Sequence, residues 1–330
     1  MRGFGNAMIC VGAVIGAGFA SGREIVSFFS RYGGAAPGLI ALAVLGMTAL
    51  CALLLRHPRR DGGWRSLMGG RRVGAAAEIC VMLLMILTGG AMISAAGHMV
   101  ALLWPNEWAY SVGAVGTLAL AWRLTRASLR PLSWLSAGLT VLLLLCLCAA
   151  FTLPPETQIR VERGSPEVLS GAARAVAYAS MNLTLAIGVV CRMENAKGTP
   201  LWFGGMMALL LSVSHALYAR HPSLFEEAFP LVKLLAAFGR AGFGVSAVLM
   251  YLSVFTSLTA VLCALRSGLE AHLPRVAAIP ALGLPLAVSC IGFSGIVDGL
   301  YAPAGLVCLA CIYGPLSVKN RVLDKSMENE

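Results

Sequence analysis

Two charged residues, Arg23 and Glu24, stand within the first long apolar segment of the chain, directly after a glycine-rich stretch. Ionisable side chains at membrane depth are functional candidates, because burying a charge there is costly. We interpret Glu24 as half of an ion pair with Arg23 or another cation. Gating of a pathway and proton transfer are the alternative roles for this pair of residues.

The stretch that positions these charges runs from Val11 to Ile25 and reads VGAVIGAGFASGREI. Glycine destabilises a helix interior by roughly 1 kcal/mol relative to alanine, and Gly16, Gly18 and Gly22 cluster near the middle of the apolar segment. The pattern predicts a helix that unwinds inside the bilayer. Unwound backbone is tolerated there only where it lines a cavity or packs against protein, and it is the best sequence indicator of a transporter's binding site.

The composition of the 330 residues is that of a polytopic membrane protein, with 58% hydrophobic and 12% charged residues. The net charge of +10 is carried in short gaps between apolar runs, so it sets membrane topology and does not indicate nucleic-acid binding. The ten cysteines lie mostly inside apolar segments, which argues against a disulfide framework. The sequence has no Walker A motif, zinc-ligand pattern or nucleophile elbow, so neither an ATP-driven pump nor an intramembrane enzyme is predicted. No cofactor is expected apart from the sodium ion considered below.

Ten apolar segments are long enough, or nearly so, to cross a hydrocarbon core about 30 Å thick. Most Lys and Arg residues in the connections fall on the side that also carries both termini. This asymmetry predicts a multi-pass membrane protein with both termini in the cytoplasm. The predicted spans are about 4–30, 37–55, 75–103, 109–123, 132–153, 168–191, 200–219, 241–266, 276–292 and 295–316.

Ten spans divide into two repeats of five helices that insert with opposite orientation, as in many transporters. The predicted repeats are residues 1–154 and 168–318, separated by a solvated outer loop at 155–167 and followed by a cytoplasmic tail at 319–330. The segment 220–238 is apolar but too short to span, so it is predicted to form an outer lid helix. A surface helix that covers the bundle is the alternative.

The sixth span is predicted to break like the first, because the repeat relates the two. Its polar residues Tyr178, Ser180, Asn182 and Thr184 form one island, and Ser and Asn side chains compete with helical backbone hydrogen bonds. The predicted break lies near Ala179–Asn182. An intact helix with inward-facing polar residues is the alternative.

Segments along essentially the whole chain resemble the YkvI-type bacterial membrane proteins of the amino acid–polyamine–organocation superfamily. The chain departs from the family's pattern at Arg23, where an uncharged polar residue is usual. The superfamily pattern G-x-x-I-G-x-G-(I/F) is met by Gly12, Ile15, Gly16, Gly18 and Phe19. Weaker similarities occur at Tyr178 with Asn182, at Phe255, Thr256 and Ser257, and from Gly295 through Tyr301 to Pro303.

The resemblance implies a protein of the bacterial cytoplasmic (inner) membrane with a LeuT-type fold and a substrate site between the broken first and sixth helices. It implies that N–H groups opening the second half of the first helix bind a substrate carboxylate, since a helix N-terminus carries partial positive charge. The implied substrate-binding residues are Gly16, Ala17, Gly18, Phe19, Ser21, Tyr178, Ser180 and Asn182.

A sodium site is also implied by the resemblance. In sodium-coupled relatives, carbonyl groups of the first helix and hydroxyl residues of the eighth helix form the site, and a hard cation prefers such oxygen ligands. Hydroxyl residues that merely join helices are the alternative. The implied ligands are Gly12, Ile15, Ser253, Thr256 and Ser257.

These patterns predict a secondary transporter that moves a small organic solute, an amino acid or other carboxylate, by alternating access and sodium symport. A proton-coupled or uncoupled carrier is one alternative. A non-transporting ligand sensor or receptor subunit on the same fold is the other. The expected partners are the small-molecule substrate and the lipid bilayer, with no nucleic acid, and the sequence leaves the oligomeric state open.

Overall fold

The computed structural model describes residues 2–56, 71–126, 130–156, 168–191 and 198–318. These residues form helices and connecting turns, without a β-strand in any of the five described stretches. Most of the predicted outer loop, from residue 157 onward, and the whole predicted cytoplasmic tail lie outside the described residues.

The first predicted span consists of three helices in series. They are α1 (Arg2–Val14), α2 (Ala17–Ser21) and α3 (Arg23–Phe28). A 3₁₀ segment, Ser30–Ala35, leads from α3 into the second span. The predicted interruption of the first helix is confirmed.

Helices occur at the positions of the other nine predicted spans. The tenth span is irregular, since it contains π turns at Ile296–Leu300 and Leu309–Tyr313. The remaining α-helices are α4 (Ala36–Arg56), α5 (Arg71–Leu103), α6 (Ala109–Leu124), α7 (Arg130–Ala150), α8 (Val168–Val190), α9 (Thr199–Ala219), α10 (Pro230–Leu235), α11 (Gly239–Glu270), α12 (Ala278–Ser289), α13 (Phe293–Gly295) and α14 (Tyr301–Cys308).

Five helical stretches within the described residues are long and apolar enough to cross a bilayer, and two shorter apolar helices, at 138–150 and 278–289, accompany them. Length and composition therefore agree with a multi-pass membrane protein. The five stretches are Ser30–Arg56, Val73–Leu103, Thr199–Ala219, Pro230–Glu270 and Phe293–Val318.

The helices pack in two groups that share α5. In one group α5 packs on α6, α11 and α12, and in the other α8 packs on α1, α4 and α14. A Cβ added to Gly305 of α14 would lie 2.3 Å from the carbonyl oxygen of Ala177 in α8. Such close backbone approach through small residues is typical of membrane helix interfaces, and here it sets the start of α14 against the middle of α8.

The prediction that the sixth span breaks near Ala179–Asn182 is wrong, because α8 is continuous throughout. The Asn182 amide donates to the Tyr178 carbonyl at 3.0 Å, and the Thr184 hydroxyl donates to the Ser180 carbonyl at 2.8 Å. Each side chain adds a bond to the carbonyl four residues earlier and leaves the helix in place. The polar island is therefore compatible with an intact helix.

Residues 220–238, which we call the lid segment, differ from the predicted single helix. They form a 3₁₀ turn at Pro222–Glu226, the short helix α10, and a second 3₁₀ turn at Ala236–Phe238. Pro222 and Pro230 each begin a new element, since proline suits a helix start but lacks the N–H needed further inside a helix.

Candidate functional site

The first helix stops at Val14 and restarts at Ala17. Between them Gly16 is extended, with φ −102° and ψ −168°. Its N–H donates to the Val14 carbonyl at 2.9 Å, and its carbonyl accepts the Ala20 N–H at 3.0 Å, which begins α2. The first N–H groups of a helix have no partner within it. The predicted backbone site at Gly16, Ala17 and Gly18 thus coincides with an interruption of the helix, and its role in substrate binding stays a prediction.

A second interruption lies at Gly22, whose φ of +82° is in the left-handed region. A side chain is strained in that conformation, and a Cβ there would also lie 2.1 Å from the hydroxyl of Tyr218 in α9. The Ser21 hydroxyl donates to the Gly18 carbonyl at 2.7 Å and accepts the Arg23 N–H at 3.0 Å. The hydroxyl of Ser21, a predicted substrate ligand, is therefore engaged with the backbone that turns the chain.

Arg23 is 5% exposed and contacts three parts of the molecule. Its Nε donates to Asp298 Oδ1 at 3.2 Å, and its Nη2 pairs with the other carboxylate oxygen of Asp298. Its Nη1 donates to the main-chain carbonyls of Phe225 at 2.8 Å and Glu227 at 2.9 Å. The guanidinium thus joins the first span, the tenth span and the lid segment. The expected ion pair of Glu24 with Arg23 or another cation is wrong, because Arg23 pairs with Asp298 and no cation among the described residues pairs with Glu24.

The Glu24 side chain reaches back towards the break. A Cβ on Gly18 would lie 1.7 Å from Glu24 Oε1, so glycine leaves the room that the carboxylate occupies. Glu24 is 7% exposed, and no hydrogen bond or ion pair joins its carboxylate to another described residue. Two tyrosines, Tyr178 of α8 and Tyr301 at the start of α14, lie within electrostatic range of it.

The hydroxyl groups of Tyr178 and Tyr301 are buried, and neither has a hydrogen-bond partner within the described part of the chain. The ring centroid of Tyr178 lies 5.2 Å from that of Phe28 and 5.1 Å from that of Phe29. These contacts hold Tyr178 against α3, the helix that carries Glu24. The structure therefore brings one carboxylate and two phenol groups together beside the break.

The other predicted substrate residues whose side chains are described are buried, and they are near Glu24 or Tyr178 in the sequence. Phe19, Ser180 and Asn182 are each no more than 2% exposed, and the Ser180 hydroxyl has no partner among the described residues. The Asn182 amide is engaged with its own helix. Sequence reasoning missed Tyr301 as a site residue, although the YkvI-like segment from Gly295 to Pro303 contains it and was the signal that could have found it.

Three of the predicted sodium ligands, Ile15, Ser253 and Thr256, line one small cavity of about 10 Å³. This is close to the space that one water molecule requires. Two hydroxyl residues of α7, Ser136 and Thr140, also line it. Sequence reasoning missed both, although their i, i+4 spacing on an apolar helix is the same kind of signal as Ser253 and Thr256 on α11.

The remaining two predicted sodium ligands, Gly12 and Ser257, do not line this cavity. Ser257 packs against the break, where a Cβ on Gly16 would lie 3.1 Å from its Oγ. Ser257 therefore contributes to the contact between α11 and the interrupted helix. Its assignment as a cation ligand stays a prediction.

The lid segment is attached to the residues that follow α7. Arg220 donates to the main-chain carbonyls of Phe151 at 3.1 Å and Leu153 at 3.0 Å. The Glu156 carboxylate accepts the N–H of Ser223 at 3.1 Å and also its hydroxyl. These bonds fix the beginning of the lid segment to the end of the predicted first repeat.

His221 lies within this attachment and is 4% exposed. Its Nδ1 is 3.9 Å from Glu156 Oε1. Burial lowers the pKa of His221 below its ordinary value of 6.5, the Glu156 carboxylate opposes that shift, and the Arg220 charge adds to it. Because the unfolded chain then takes up the proton more readily, this histidine favours the folded lid at neutral pH and less so as the pH falls below about 6.5.

No family model matches the chain. A search of known proteins finds a relative in sequence. The protein named "Uncharacterized membrane protein YkvI" of Bacillus subtilis (strain 168) is 24% identical over 328 residues, which is 93% of each chain. The resemblance to the YkvI-type membrane proteins is confirmed. The YkvI-type motif of the first helix is the stretch that the structure interrupts at Gly16 and Gly22.

Solved structures of a manganese transporter of Eremococcus coleocola share the fold of this chain. The complex of that transporter with an aromatic bis-isothiourea substituted compound superposes with a TM-score of 0.57 and 14% identity, over 96% of this chain and 78% of the transporter. A mutant of the same transporter gives a TM-score of 0.56 over the same shares of both chains. The likeness shows a helical fold shared with that transporter, so the predicted all-α polytopic class is confirmed.

Proposed function

We propose that this YkvI-type chain is a secondary active transporter that moves a small organic solute across the bacterial cytoplasmic membrane by alternating access. The observation that carries the proposal is the break at Gly16, which has a buried carboxylate and two buried tyrosine hydroxyls beside it. Interrupted helices at membrane depth mark the binding sites of transporters. A helix with a purely structural role gains nothing from such a break, since unsatisfied backbone groups in lipid are costly.

The contacts of Arg23 support this proposal, because they close the predicted outer side of the candidate site. We call these contacts the closure. Its guanidinium holds Asp298 and the lid carbonyls of Phe225 and Glu227 at one point, one residue away from Glu24. In the proposed cycle these bonds break when the outer side opens, and water then takes the place of the carbonyl acceptors. The closed outer side would correspond to the state in which a solute at the break is released to the cytoplasm.

Sodium is the proposed coupling ion, and the small cavity beside Ile15 supports it. Four hydroxyl residues, Ser136, Thr140, Ser253 and Thr256, line the cavity. The hydroxyls of Thr140 and Thr256 donate to the carbonyls of Ser136 and Ser253 and keep their oxygen atoms as acceptors, and oxygen ligands suit a hard cation. The cavity also lies at the carboxyl end of the first half-helix, where the helix dipole favours a positive charge. A proton-coupled or uncoupled carrier is the alternative, and it requires no ion in this cavity.

The structural neighbours are named as manganese transporters, but we do not propose manganese as a substrate of this chain. Around the break the candidate donors are one carboxylate and two phenol groups. Across the described residues, no cluster of three or more His, Cys, Asp or Glu side chains is placed to hold a metal ion. A small organic solute suits this set of groups better.

The proposal is tested by purifying the full chain and measuring thermal stability with amino acids, amines and small carboxylates, in the presence and absence of sodium. A specific ligand stabilises by about 2.7 kcal/mol at a hundredfold excess over its Kd. Any ligand found is then tested for uptake into proteoliposomes under a sodium gradient. Uptake driven by the gradient is the expected result.

Two matched variants of α11 test the cation site. Thr256→Val removes a hydroxyl that lines the cavity and should raise the sodium concentration needed for uptake about tenfold or more. Thr259→Val removes a buried hydroxyl of the same helix, which donates to the Phe255 carbonyl away from the cavity, and should not. Uptake that ignores sodium would remove the ion from the proposal, and binding without uptake would replace the carrier by a sensor.

A further inference from the structure

His221 connects α9 to the lid segment, and it is 4% exposed. Its N–H donates to the Tyr218 carbonyl at 3.0 Å, which continues the end of α9. Its carbonyl accepts the Leu224 N–H at 3.1 Å, which is the first bond of the 3₁₀ turn Pro222–Glu226. A change in the surroundings of this histidine therefore acts directly on the turn that begins the lid segment.

The neutral form of the His221 ring suits this place, and the charged form does not. Its Nε2 is buried and has no hydrogen-bond partner among the described residues. Its Nδ1 lies 3.9 Å from Glu156 Oε1, which is longer than a hydrogen bond. A neutral ring can leave Nε2 without a proton, whereas the imidazolium carries a proton on both nitrogens. Protonation therefore buries an N–H group that meets no acceptor in the described part of the chain, which is unfavourable.

Burial and the neighbouring charges also disfavour the imidazolium overall. The Glu156 carboxylate attracts it but is 38% exposed, and the guanidinium of the preceding residue, Arg220, repels it. The other titratable groups on the lid segment and on the helices packed against its first turn, α3, α9 and α10, are Arg23, Glu24, His215, Tyr218, Glu226, Glu227 and Lys233. Burial has the largest influence, so the pKa of His221 is lowered from 6.5.

The turn that begins at His221 carries two bonds of the closure. The Leu224 carbonyl accepts the Glu227 N–H at 3.1 Å, so short-range bonds run without interruption from His221 to Glu227. Phe225 lies within this turn, and the carbonyls of Phe225 and Glu227 accept Nη1 of Arg23 at 2.8 and 2.9 Å. Loosening of the turn at His221 would therefore move both of these acceptors away from Arg23.

We propose that His221 is a pH-sensitive switch of the lid segment, which loosens the 3₁₀ turn and frees Arg23 from its two lid acceptors when the ring takes up a proton. At neutral pH the turn is held and the outer side is closed. In an acidic outer solution the closure keeps only the pair with Asp298, so the outer side opens more readily. The inference concerns regulation of the proposed transport and rests on that function only for the statement that opening admits a solute.

Hydrogen exchange of the full chain in nanodiscs tests the switch without any solute. Mass spectrometry follows a peptide covering residues 222–228 from about pH 7.5 to about pH 5, and each exchange rate is divided by the intrinsic rate at that pH. Because the loosened lid takes up the proton more readily, the protection of this peptide should fall about tenfold over the range. A peptide from α8 in the same sample should change by less than about twofold. Unchanged protection of residues 222–228 overturns the inference.

Matched variants assign the response to one side chain. His221→Gln keeps a neutral polar group and removes the titration, so its protection should change by less than about twofold over the same range. His272→Gln is the control, since it changes a histidine that is 59% exposed and distant in sequence from the lid segment, and it should respond as the wild type does. A full response in His221→Gln contradicts the switch.

A third variant, Glu156→Gln, separates the histidine from the carboxylate beside it. This change removes the charge that attracts the imidazolium, so the fall in protection should be at least as large as in the wild type. A response that disappears in Glu156→Gln would assign the sensor to the carboxylate and overturn the inference. If His221→Gln does not fold, this variant decides between the two groups.

Uptake assays separate the switch from the proposed function. A pH response that depends on His221, in a protein that takes up none of the amino acids, amines or carboxylates into proteoliposomes, would support the switch and contradict transport. Uptake by a protein whose lid protection does not change with pH would support transport and contradict the switch.

Discussion

The first and the sixth spans occupy equivalent places in the predicted repeat, yet they present polar groups in different ways. The first is interrupted at Gly16 and Gly22 and offers backbone groups together with two charged side chains. The sixth is the continuous helix α8, which offers the side chain of Tyr178 from an unbroken backbone. The first span therefore contributes both main-chain groups and side chains to the candidate site, whereas the sixth contributes side chains alone.

The difference follows from where the competing hydrogen bonds go. In the first span the Ser21 hydroxyl bridges the Gly18 carbonyl and the Arg23 N–H, across a glycine at positive φ. In the sixth span the side chains of Asn182 and Thr184 bond to carbonyls one turn earlier and stay within the helix. A polar island in a membrane helix is thus insufficient for a break. The first span differs from the sixth in having a glycine, Gly22, at a positive φ that other residues rarely adopt.

The largest effect is expected for Gly22→Ala in the first span. Strain at positive φ and overlap with the Tyr218 hydroxyl should together lower the free energy of unfolding by about 3 kcal/mol. Gly188→Ala in α8 is the matched control, since a Cβ there meets nothing within 4 Å, and it should change stability by less than about 1 kcal/mol. Thermal unfolding in detergent compares the two, and equal losses would contradict the contrast between the spans.

An intermediate loss of stability is expected for Arg23→Gln. This side chain holds the first span to the tenth span and to the lid segment, which are distant in sequence. The loss should be about 2 kcal/mol, smaller than for a fully buried pair because the Asp298 side chain is 26% exposed. A double-mutant cycle with Asp298→Asn should give a coupling energy of about 1 kcal/mol. The surface pair Arg266–Glu270 is the control, and Glu270→Gln should cost less than about 0.5 kcal/mol. A coupling energy near zero would remove Asp298 from the closure.

The smallest effect is expected for Asn182→Leu in the sixth span. Its amide bonds within α8 alone among the described contacts, so a similar apolar side chain should change the free energy of unfolding by less than about 1 kcal/mol. The same thermal unfolding assay measures it. A loss of more than about 2 kcal/mol would indicate that the sixth span depends on polar contacts as the first one does.

Much of the fold could be predicted from the sequence, because hydropathy and glycine content act locally. The ten spans and the interruption near Gly16 follow from residues that are neighbours in the chain. The intact sixth span could not be predicted with equal ease. The sequence shows an asparagine at position 182 in either case, whether its amide bonds within the helix or outside it. The choice depends on the side-chain rotamer.

The site was predictable in part. Glu24 and Tyr178 are prominent as polar residues in apolar helices, but the pairing of Arg23 with Asp298 joins positions 275 residues apart. Tyr301 and Thr140 reach their places only through packing of the tenth and fifth spans. Without an alignment or a fold, no local pattern connects them to the first helix.

The closure at Arg23 has a consequence for how this protein can change over evolutionary time. Two of its acceptors, at Phe225 and Glu227, are main-chain carbonyls, and every amino acid supplies the same carbonyl. Neither position therefore needs a particular side chain for this closure, as long as the backbone path is kept. Asp298, by contrast, accepts through its side chain, so a change there must be matched at Arg23.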